Sequence, residues 1–360
     1  MPGLKFLAAA LSVLLLTAHQ SAAQLPVANG RQISLSNSAW KLFIPDTYEH
    51  RAGDIADILV HFHGDPQTVW NNSLHAELNT VIVTVNYSGL SSAYSGPFSN
   101  ATLFQTLMNE ALTKVRLESD FSSTLQWDQI GVSSFSAGYG AVREILKSSS
   151  YLNSIDALLA ADSLYATTAD DGTPLNSQMA NYKMFANLAQ SGEKTFVFSH
   201  SQVLTYTYEN TMETGNELMQ HLGINTQPSS LSGLGTLDFY RHAKSGNFEL
   251  WGAQGADGDA HLEHLRYIGQ FLADLPLARL GETAGDFNND GKVDGKDFLN
   301  WQQDPNVGLL NDWETNYGMV SPLASSSVAV PEPTSLSLTF LGGLLALRSS
   351  RHARCFSLFS

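Results

Sequence analysis

Ser136 stands where a serine hydroxyl could act as a nucleophile. The stretch Gln129 to Ile145, QIGVSSFSAGYGAVREI, contains a short apolar strand, a turn of small residues and the start of a helix near Tyr139. A sharp strand-to-helix turn of this kind lifts its serine above the edge of a sheet. Gly138 is the small neighbour that the turn needs, while Ser134 occupies a position where glycine is usual. The stretch predicts acyl-transfer chemistry at Ser136, and a Ser/Gly-rich turn without chemistry is the alternative.

The elements around this turn alternate between strands and helices. Apolar, β-branched segments predict strands at Ile58–Phe62, Val81–Val85, Ile130–Ser134, Ala157–Ala161, Thr195–Ser199 and Phe248–Gly252. Helical periodicity lies between them at 104–115, 179–188 and 211–222. Two earlier segments, Gln32–Ser36 and Trp40–Ile44, predict an antiparallel edge hairpin. This alternation predicts an α/β fold, with a mostly parallel sheet and helices on both faces.

The Ser136 turn and the HFHG segment at His61–Gly64 together resemble the α/β-hydrolase superfamily, over roughly Gln32 to Leu275. In that superfamily the catalytic residues follow the chain order nucleophile, acid, histidine. The resemblance implies a serine hydrolase that acts through an acyl-enzyme. Its substrate would be a carboxylic ester, with an amide or peptide as the second choice. The substrate would be a small-molecule or polymer ester, and catalysis would need no cofactor.

The histidine of this order should follow the last predicted strand, Phe248–Gly252. The loop after that strand, AQGADGDAHLEHL, contains His261 and His264. We predict His261 as the general base, because a side chain at the junction of loop and helix can still reach the edge of the sheet. His264, one turn into the helix, remains the alternate.

Asp162 is the predicted acid, because it directly follows the strand Ala157–Ala161 and would point into the site. The superfamily more often places the acid one strand later, where the first carboxylates are Glu209 and Glu213; both stay alternates. An Asp at the end of a strand can also simply cap a helix.

Two backbone donors should bind the oxyanion. The N–H of Ala137 follows the nucleophile, and the second should come from Gly64 or Asp65, in the turn after Ile58–Phe62. The aromatic residues Tyr139, Tyr165 and Trp70 are pocket candidates, although such residues more often belong to the core.

Two other functions compete with this prediction. His61, His63 and Asp65 have the spacing of ligands in a metal-dependent hydrolase, although position 66 is proline rather than another histidine. A non-catalytic surface protein of the cell envelope or exopolysaccharide could also keep a hydrolase fold. The formal net charge of -15 argues against a nucleic-acid partner.

After Leu280 the composition changes to Asp, Asn and Gly, and DFNNDGKVDGKD has the ligand spacing of a calcium loop. Gly291 occupies the sharp mid-loop turn. The predicted Ca²⁺ ligands are Asp286, Asn288, Asp290, Lys292 at position 7, Asp294 and Asp297. Together with DWETNYG at 312–318, this EF-hand-like loop resembles a dockerin-type calcium repeat, although the second half lacks most ligands.

Both ends of the chain have the features of sorting signals. Residues 1–23 combine Lys5, a short apolar run and small residues at the end, which predicts a secretory signal peptide. A Ser/Ala linker at 321–329 leads to a 330–360 tail that resembles a PEP-CTERM sorting signal, and its resemblance implies a bacterial protein processed by an exosortase. We expect export to the cell envelope or beyond it, with membrane contact only transiently through this tail. The domains are then 24–280 for the hydrolase and 281–320 for the calcium-loop segment.

Overall fold

The computed structural model describes residues 25–319, apart from 52, 282 and 289–291. The predicted signal peptide, the linker, the sorting tail and Asp290 lie outside the described residues. The chain is divided into two compact units between Leu280 and Gly281. No helix among the described residues is both long and apolar enough to cross a membrane.

The first unit is built around one sheet. Its strands are β1 Gly30–Ser34, β2 Trp40–Pro45, β3 Ile55–Phe62, β4 Thr80–Val85, β5 Gln126–Phe135, β6 Ala157–Ala161, β7 Thr195–His200, β8 Gln227–Pro228, β9 Phe239–Ser245 and β10 Phe248–Ala253. Its helices are α1 Pro66–His75, α2 Ser91–Phe98, α3 Leu103–Val115, α4 Tyr139–Ile145, α5 Ser149–Ser154, α6 Asn176–Gln190, α7 Thr211–Leu222, α8 Gly258–Arg266 and α9 Gly269–Leu272.

The strand order is β1-β2-β4-β3-β5-β6-β7-β10-β9-β8. The six strands from β4 to β10 in this order run parallel, whereas the pairs at both edges are antiparallel. The predicted parallel sheet and the edge hairpin of β1 and β2 are therefore confirmed. Because the parallel strands point the same way, the residues that follow β3, β5, β6, β7 and β10 meet at one edge.

The parallel strands are buried on both faces, which explains their continuous apolar sequences. On β3, Ile58, Val60 and Phe62 join one core cluster, while Leu59 between them joins the other. The first cluster packs against α2, α3, α4, α6 and α7, and the second against α1 and α9. Trp70 is 3% exposed and stacks on Phe43 with ring centroids 4.3 Å apart. It belongs to this second core, which is the more usual place for such an aromatic residue.

The second unit contains α10 Gly295–Gln303, a 3₁₀ turn at Pro305–Val307 and α11 Leu310–Asn316. Phe298 and Trp313 pack with ring centroids 4.8 Å apart, and Trp313 Nε1 donates to the carbonyl of Asp294 at 2.7 Å. Backbone hydrogen bonds pair Val293 with Gly318 and Met319. The small unit therefore has its own aromatic contacts and backbone pairing.

Candidate active site

Ser136 occupies a strained turn directly after β5. Its φ is +46°, in the left-handed region that residues with a Cβ rarely adopt. A 3₁₀ turn at Ser136–Gly138 leads into α4 at Tyr139. A Cβ on Gly138 would lie 2.2 Å from the carbonyl oxygen of Phe62, the last residue of β3. Gly138 is therefore needed because the turn packs directly on the backbone of the neighbouring strand.

Two more non-glycine residues at this edge have positive φ. His63 follows β3 with φ +71°, and Asp162 follows β6 with φ +44°. Strained backbone of this kind persists only where the surrounding structure holds it, and it clusters at functional sites. Three adjacent strands thus end in a strained residue that carries a polar side chain.

Asp162 and His261 are in direct contact. His261 Nδ1 lies 2.6 Å from Asp162 Oδ2, and the carboxylate is fully buried. An ionised carboxylate only accepts hydrogen bonds, so Nδ1 carries the proton and Nε2 is left as the basic nitrogen. Phe135, the neighbour of Ser136 in the chain, stacks on the His261 imidazole with centroids 4.6 Å apart. This stacking places the imidazole beside the turn that carries the nucleophile.

Other donors complete the surroundings of the Asp162 carboxylate. The backbone N–H of Ser201 donates to Oδ1 at 2.9 Å, its hydroxyl donates to Oδ2 at 2.7 Å, and the Thr211 hydroxyl also donates to Oδ1. Burial raises the pKa of Asp162, but the adjacent His264 and the hydrogen bonds from His261 and Thr211 lower it more, well below its usual range. Asp162 is therefore ionised when it orients His261.

His264 differs from His261 in every contact that matters for catalysis. It is fully buried, its Nδ1 lies 2.8 Å from the Ser199 hydroxyl, and its Nε2 has no hydrogen-bond partner. Burial lowers its pKa to about 4, against an opposing effect of Asp162. A neutral, buried imidazole packed on Phe271 has the contacts of a structural residue, so this geometry favours His261 over His264 as the base.

Neither alternate acid contacts an imidazole. Glu209 is buried, and its backbone pairs with Ala166 through two hydrogen bonds. Glu213 forms a capping box with Asn210 at the start of α7, where its side chain accepts from the backbone N–H of Asn210. The structure brings Asp162, and neither glutamate, to His261.

A pair of buried hydroxyls links the nucleophile turn to the acid. Ser163 Oγ lies 2.8 Å from Ser134 Oγ and 2.9 Å from the carbonyl oxygen of Ser136. The serine at position 134, where glycine is usual, thus has a specific partner in the residue after Asp162. Sequence reasoning noticed the departure from glycine but missed Ser163, and likewise the donors Ser201 and Thr211, because each depends on contacts between distant segments.

The predicted oxyanion residues lie at the same edge of the sheet. Ala137 is the second residue of the 3₁₀ turn, directly after Ser136. Gly64 has φ +130°, and its N–H makes only a long contact, 3.4 Å, to Asn86 Oδ1. Asp65 instead caps α1, since its carboxylate accepts from the N–H and hydroxyl of Thr68. The cap uses only the Asp65 side chain, so the backbone N–H groups of both Gly64 and Asp65 are candidates for the second oxyanion donor.

The alternative metal ligands are engaged in other contacts. His61 is buried, with Nδ1 2.7 Å from the Ser133 hydroxyl and Nε2 2.8 Å from the carbonyl oxygen of His63. The Nδ1 of His63 lies 2.8 Å from the Tyr94 hydroxyl, and Asp65 caps α1. Both nitrogens of His61 are occupied, so this geometry does not favour the metal-dependent alternative.

In the described part of the predicted calcium loop, a helix begins at Gly295, where the ligand spacing predicts the exiting helix. Asp294 caps α10, and the buried Asp297 accepts from the backbone N–H groups of Asn288 at 3.0 Å and Asp294 at 2.7 Å. Hard carboxylate and amide oxygens suit Ca²⁺. No cluster of three His, Cys, Asp or Glu side chains arranged around a metal position occurs among the described residues.

One unit thus combines a mostly parallel sheet, a strained serine turn after β5 and a histidine after β10 that contacts a buried carboxylate. The fold is α/β with a mostly parallel sheet, as the resemblance to the α/β-hydrolase superfamily implies. No protein-family model matches the chain, and no curated protein matches it either. Similar solved structures include a ferulic acid esterase from Anaeromyces mucronatus, with TM-score 0.43 and 10% identity over 71% of this chain and 94% of that one.

Two further structures are comparably distant. A feruloyl esterase module from Clostridium thermocellum has TM-score 0.41 and 13% identity, covering 72% of this chain and 92% of that one. An arylesterase has TM-score 0.35 and 12% identity, covering 71% and 88%. Likenesses at this level carry no information on activity or substrate.

Proposed function

We propose that this protein hydrolyses carboxylic esters with Ser136 as nucleophile, His261 as general base and Asp162 as the residue that orients the imidazole. The observation that carries the proposal is the 2.6 Å contact between His261 and the buried Asp162, beside a serine with φ +46°. A structural serine turn needs neither this backbone strain nor an imidazole oriented by a buried carboxylate.

In the proposed reaction, Ser136 Oγ forms a bond to the ester carbonyl carbon while its proton passes to His261 Nε2. The carbonyl oxygen becomes an oxyanion, which the N–H groups of Ala137 and of Gly64 or Asp65 stabilise. Collapse of this intermediate expels the alcohol, which takes the proton from His261 and leaves an acyl-enzyme. Water then attacks the acyl-enzyme by the same route, releasing the acid and restoring Ser136.

A fluorophosphonate probe tests the nucleophile directly. We expect the wild-type protein to be labelled and to hydrolyse p-nitrophenyl esters, and the Ser136→Ala variant to do neither. Ser133→Ala is a matched control, because Ser133 belongs to the same strand but contacts His61. Labelling that persists in Ser136→Ala would contradict the assignment. Hydrolysis that a chelator abolishes, without labelling, would favour the metal-dependent alternative, and no activity at all would favour a non-catalytic surface protein.

We further propose, from the sequence, that the protein is exported and that the loop from Asp286 to Asp297 binds Ca²⁺ for a structural purpose. The capped helix after position 9 and the oxygen-rich donor set support the calcium proposal. Calorimetric titration with Ca²⁺ tests it: Asp286→Ala should lose binding, while Asp312→Ala, outside the loop, should retain it. Unchanged binding in Asp286→Ala would contradict this loop as the site.

A further inference from the structure

Three tyrosines form a row of ring contacts that begins at the first residue of α4, the helix after the Ser136 turn, and ends at the exposed Tyr208. Tyr139 and Tyr165 have ring centroids 5.4 Å apart, and Tyr165 and Tyr208 have centroids 5.7 Å apart. The planes of Tyr165 and Tyr208 meet at 73°, an edge-to-face contact, whereas those of Tyr139 and Tyr165 are tilted by 51°. Tyr139 and Tyr165 are half-buried and Tyr208 is 45% exposed. We call these three residues the tyrosine row.

Two members of the row lie close in the chain to Ser136 and Asp162. Tyr139 lies three residues after Ser136, and Tyr165 lies three residues after Asp162. The Tyr165 hydroxyl lies 3.5 Å from the carbonyl oxygen of Asp162. Burial and the nearby Asp162 charge raise the pKa of Tyr165, so the phenol stays neutral. A neutral phenol therefore lies beside the Asp162 backbone, and ring contacts lead from it to Tyr139 on the helix after Ser136 and to Tyr208.

Neighbouring contacts hold the row in place. The guanidinium of Arg143 lies 4.8 Å from the centre of the Tyr139 ring and also donates to the carbonyl of Tyr165. The Tyr208 end is fixed by the two backbone hydrogen bonds between Ala166 and Glu209, at 3.2 and 2.7 Å. The row is thus formed before any substrate arrives, which reduces the entropy lost on binding.

The segment that carries Tyr208 has a composition suited to a flat apolar group. Residues 202–208, QVLTYTY, contain no charge, and Leu204 within them is 57% exposed. The segment follows Ser201, whose hydroxyl donates to Asp162, so its first residues lie close to the proposed acid. Exposed apolar side chains next to a reacting centre are more useful for binding substrate than for stability.

We propose that the tyrosine row binds a planar aromatic ring of the ester substrate. Edge-to-face packing of a further ring would continue the arrangement already present between Tyr165 and Tyr208. This inference rests on the proposed function, because it assigns the substrate class of the same site. It makes the enzyme selective for esters that carry an aromatic ring near the scissile bond.

Two pairs of esters matched in size test the selectivity. Methyl 3-phenylpropanoate and methyl 3-cyclohexylpropanoate place the ring in the acyl part, while benzyl acetate and cyclohexylmethyl acetate place it in the alcohol part. In at least one pair, we expect kcat/KM to favour the aromatic member by about tenfold, which corresponds to about 1.4 kcal/mol. The preferred pair tells which side of the ester the row binds.

Variants connect the preference to the row. Tyr208→Ala should remove most of the aromatic preference, and Tyr208→Phe should keep it. Tyr206→Ala is the matched control, because Tyr206 belongs to the same segment, is 93% exposed and lies outside the row; it should leave the preference unchanged. Fluorophosphonate labelling of Ser136 should be equal in all of these proteins, which shows that the catalytic turn is intact.

Equal kcat/KM within both pairs, or a preference that survives Tyr208→Ala, would overturn the inference while labelling and hydrolysis still supported the proposed function. No labelling and no hydrolysis in the wild-type protein would refute the proposed function itself.

Discussion

Replacing His264 by glutamine should make the protein less sensitive to acid without removing its activity. The His264 ring is fully buried, and its pKa is lowered from 6.5 to about 4, with burial as the main cause. Because the unfolded chain binds the proton more strongly, the free energy of unfolding falls as the pH drops from about 6.5 toward 4. The stability is regained on return to neutral pH.

The size of the effect follows from the two pKa values. At pH 5 the unfolded imidazole is almost fully protonated and the folded one is almost neutral, so His264 lowers the free energy of unfolding by about 2 kcal/mol relative to pH 7. His61, with pKa lowered to about 4, and His200, with pKa lowered to about 3, act in the same direction, in both cases mainly through burial. The three together should lower the free energy of unfolding by about 6 kcal/mol over this range.

Urea unfolding at pH 7, 6 and 5 measures this difference. In His264→Gln the decline between pH 7 and pH 5 should be about 2 kcal/mol smaller than in the wild type, because glutamine does not titrate. Ester hydrolysis at pH 7 should remain within about an order of magnitude of the wild type, whereas His261→Gln should be inactive. An unchanged pH dependence would refute the burial argument, and loss of Ser136 labelling only in His264→Gln would make His264 the base.

The remaining predictions concern the residues around the nucleophile. Asp162→Asn should lower kcat by about 10⁴-fold, because an amide cannot hold the imidazole in the required tautomer; circular dichroism should show a folded protein, and full activity would show that another acid serves His261. Ser163→Ala should leave the Ser134 hydroxyl and the Ser136 carbonyl without their shared partner and lower the free energy of unfolding by about 1–3 kcal/mol. In ester hydrolysis it should change kcat more than KM. Ser122→Ala, which removes an exposed hydroxyl, is its control in thermal unfolding. Gly138→Ala should reduce labelling of Ser136, because its Cβ would collide with the Phe62 carbonyl at 2.2 Å; wild-type labelling rates would show that the turn has room to move.

Buried strands could be predicted from the sequence because burial on both faces leaves a continuous apolar run. The strand Ala157–Ala161 and the helix Thr211–Leu222 have the predicted bounds. The strand Phe239–Ser245, which is second from the edge of the sheet, could not be predicted, because Arg241, His242 and Lys244 interrupt its apolar pattern. A half-exposed strand of this kind has no strong periodic signal of its own.

For the acid, the sequence predicts Asp162 but leaves Glu209 and Glu213 as alternates, and the reason is different. Asp162, Glu209 and Glu213 all follow plausible strands or helices, and only the packing of β6 beside β5 shows which one reaches His261. The end of β7, where the superfamily more often has its acid, here supplies Ser201 as a donor to Asp162. The serine turn could be predicted because local backbone geometry forms it, whereas the contact between Asp162 and His261 joins residues 99 positions apart in the chain.

The positive φ values of His63, Ser136 and Asp162 have a consequence for engineering this protein. Each side chain is kept in a conformation that glycine would adopt with about 1–2 kcal/mol less strain. The Ser136→Gly variant should therefore melt at a higher temperature than the wild-type protein. At Ser136 and Asp162 heat tolerance competes with the proposed activity, so a thermostable variant that keeps this activity must gain its stability in the sheet edges and surface loops instead.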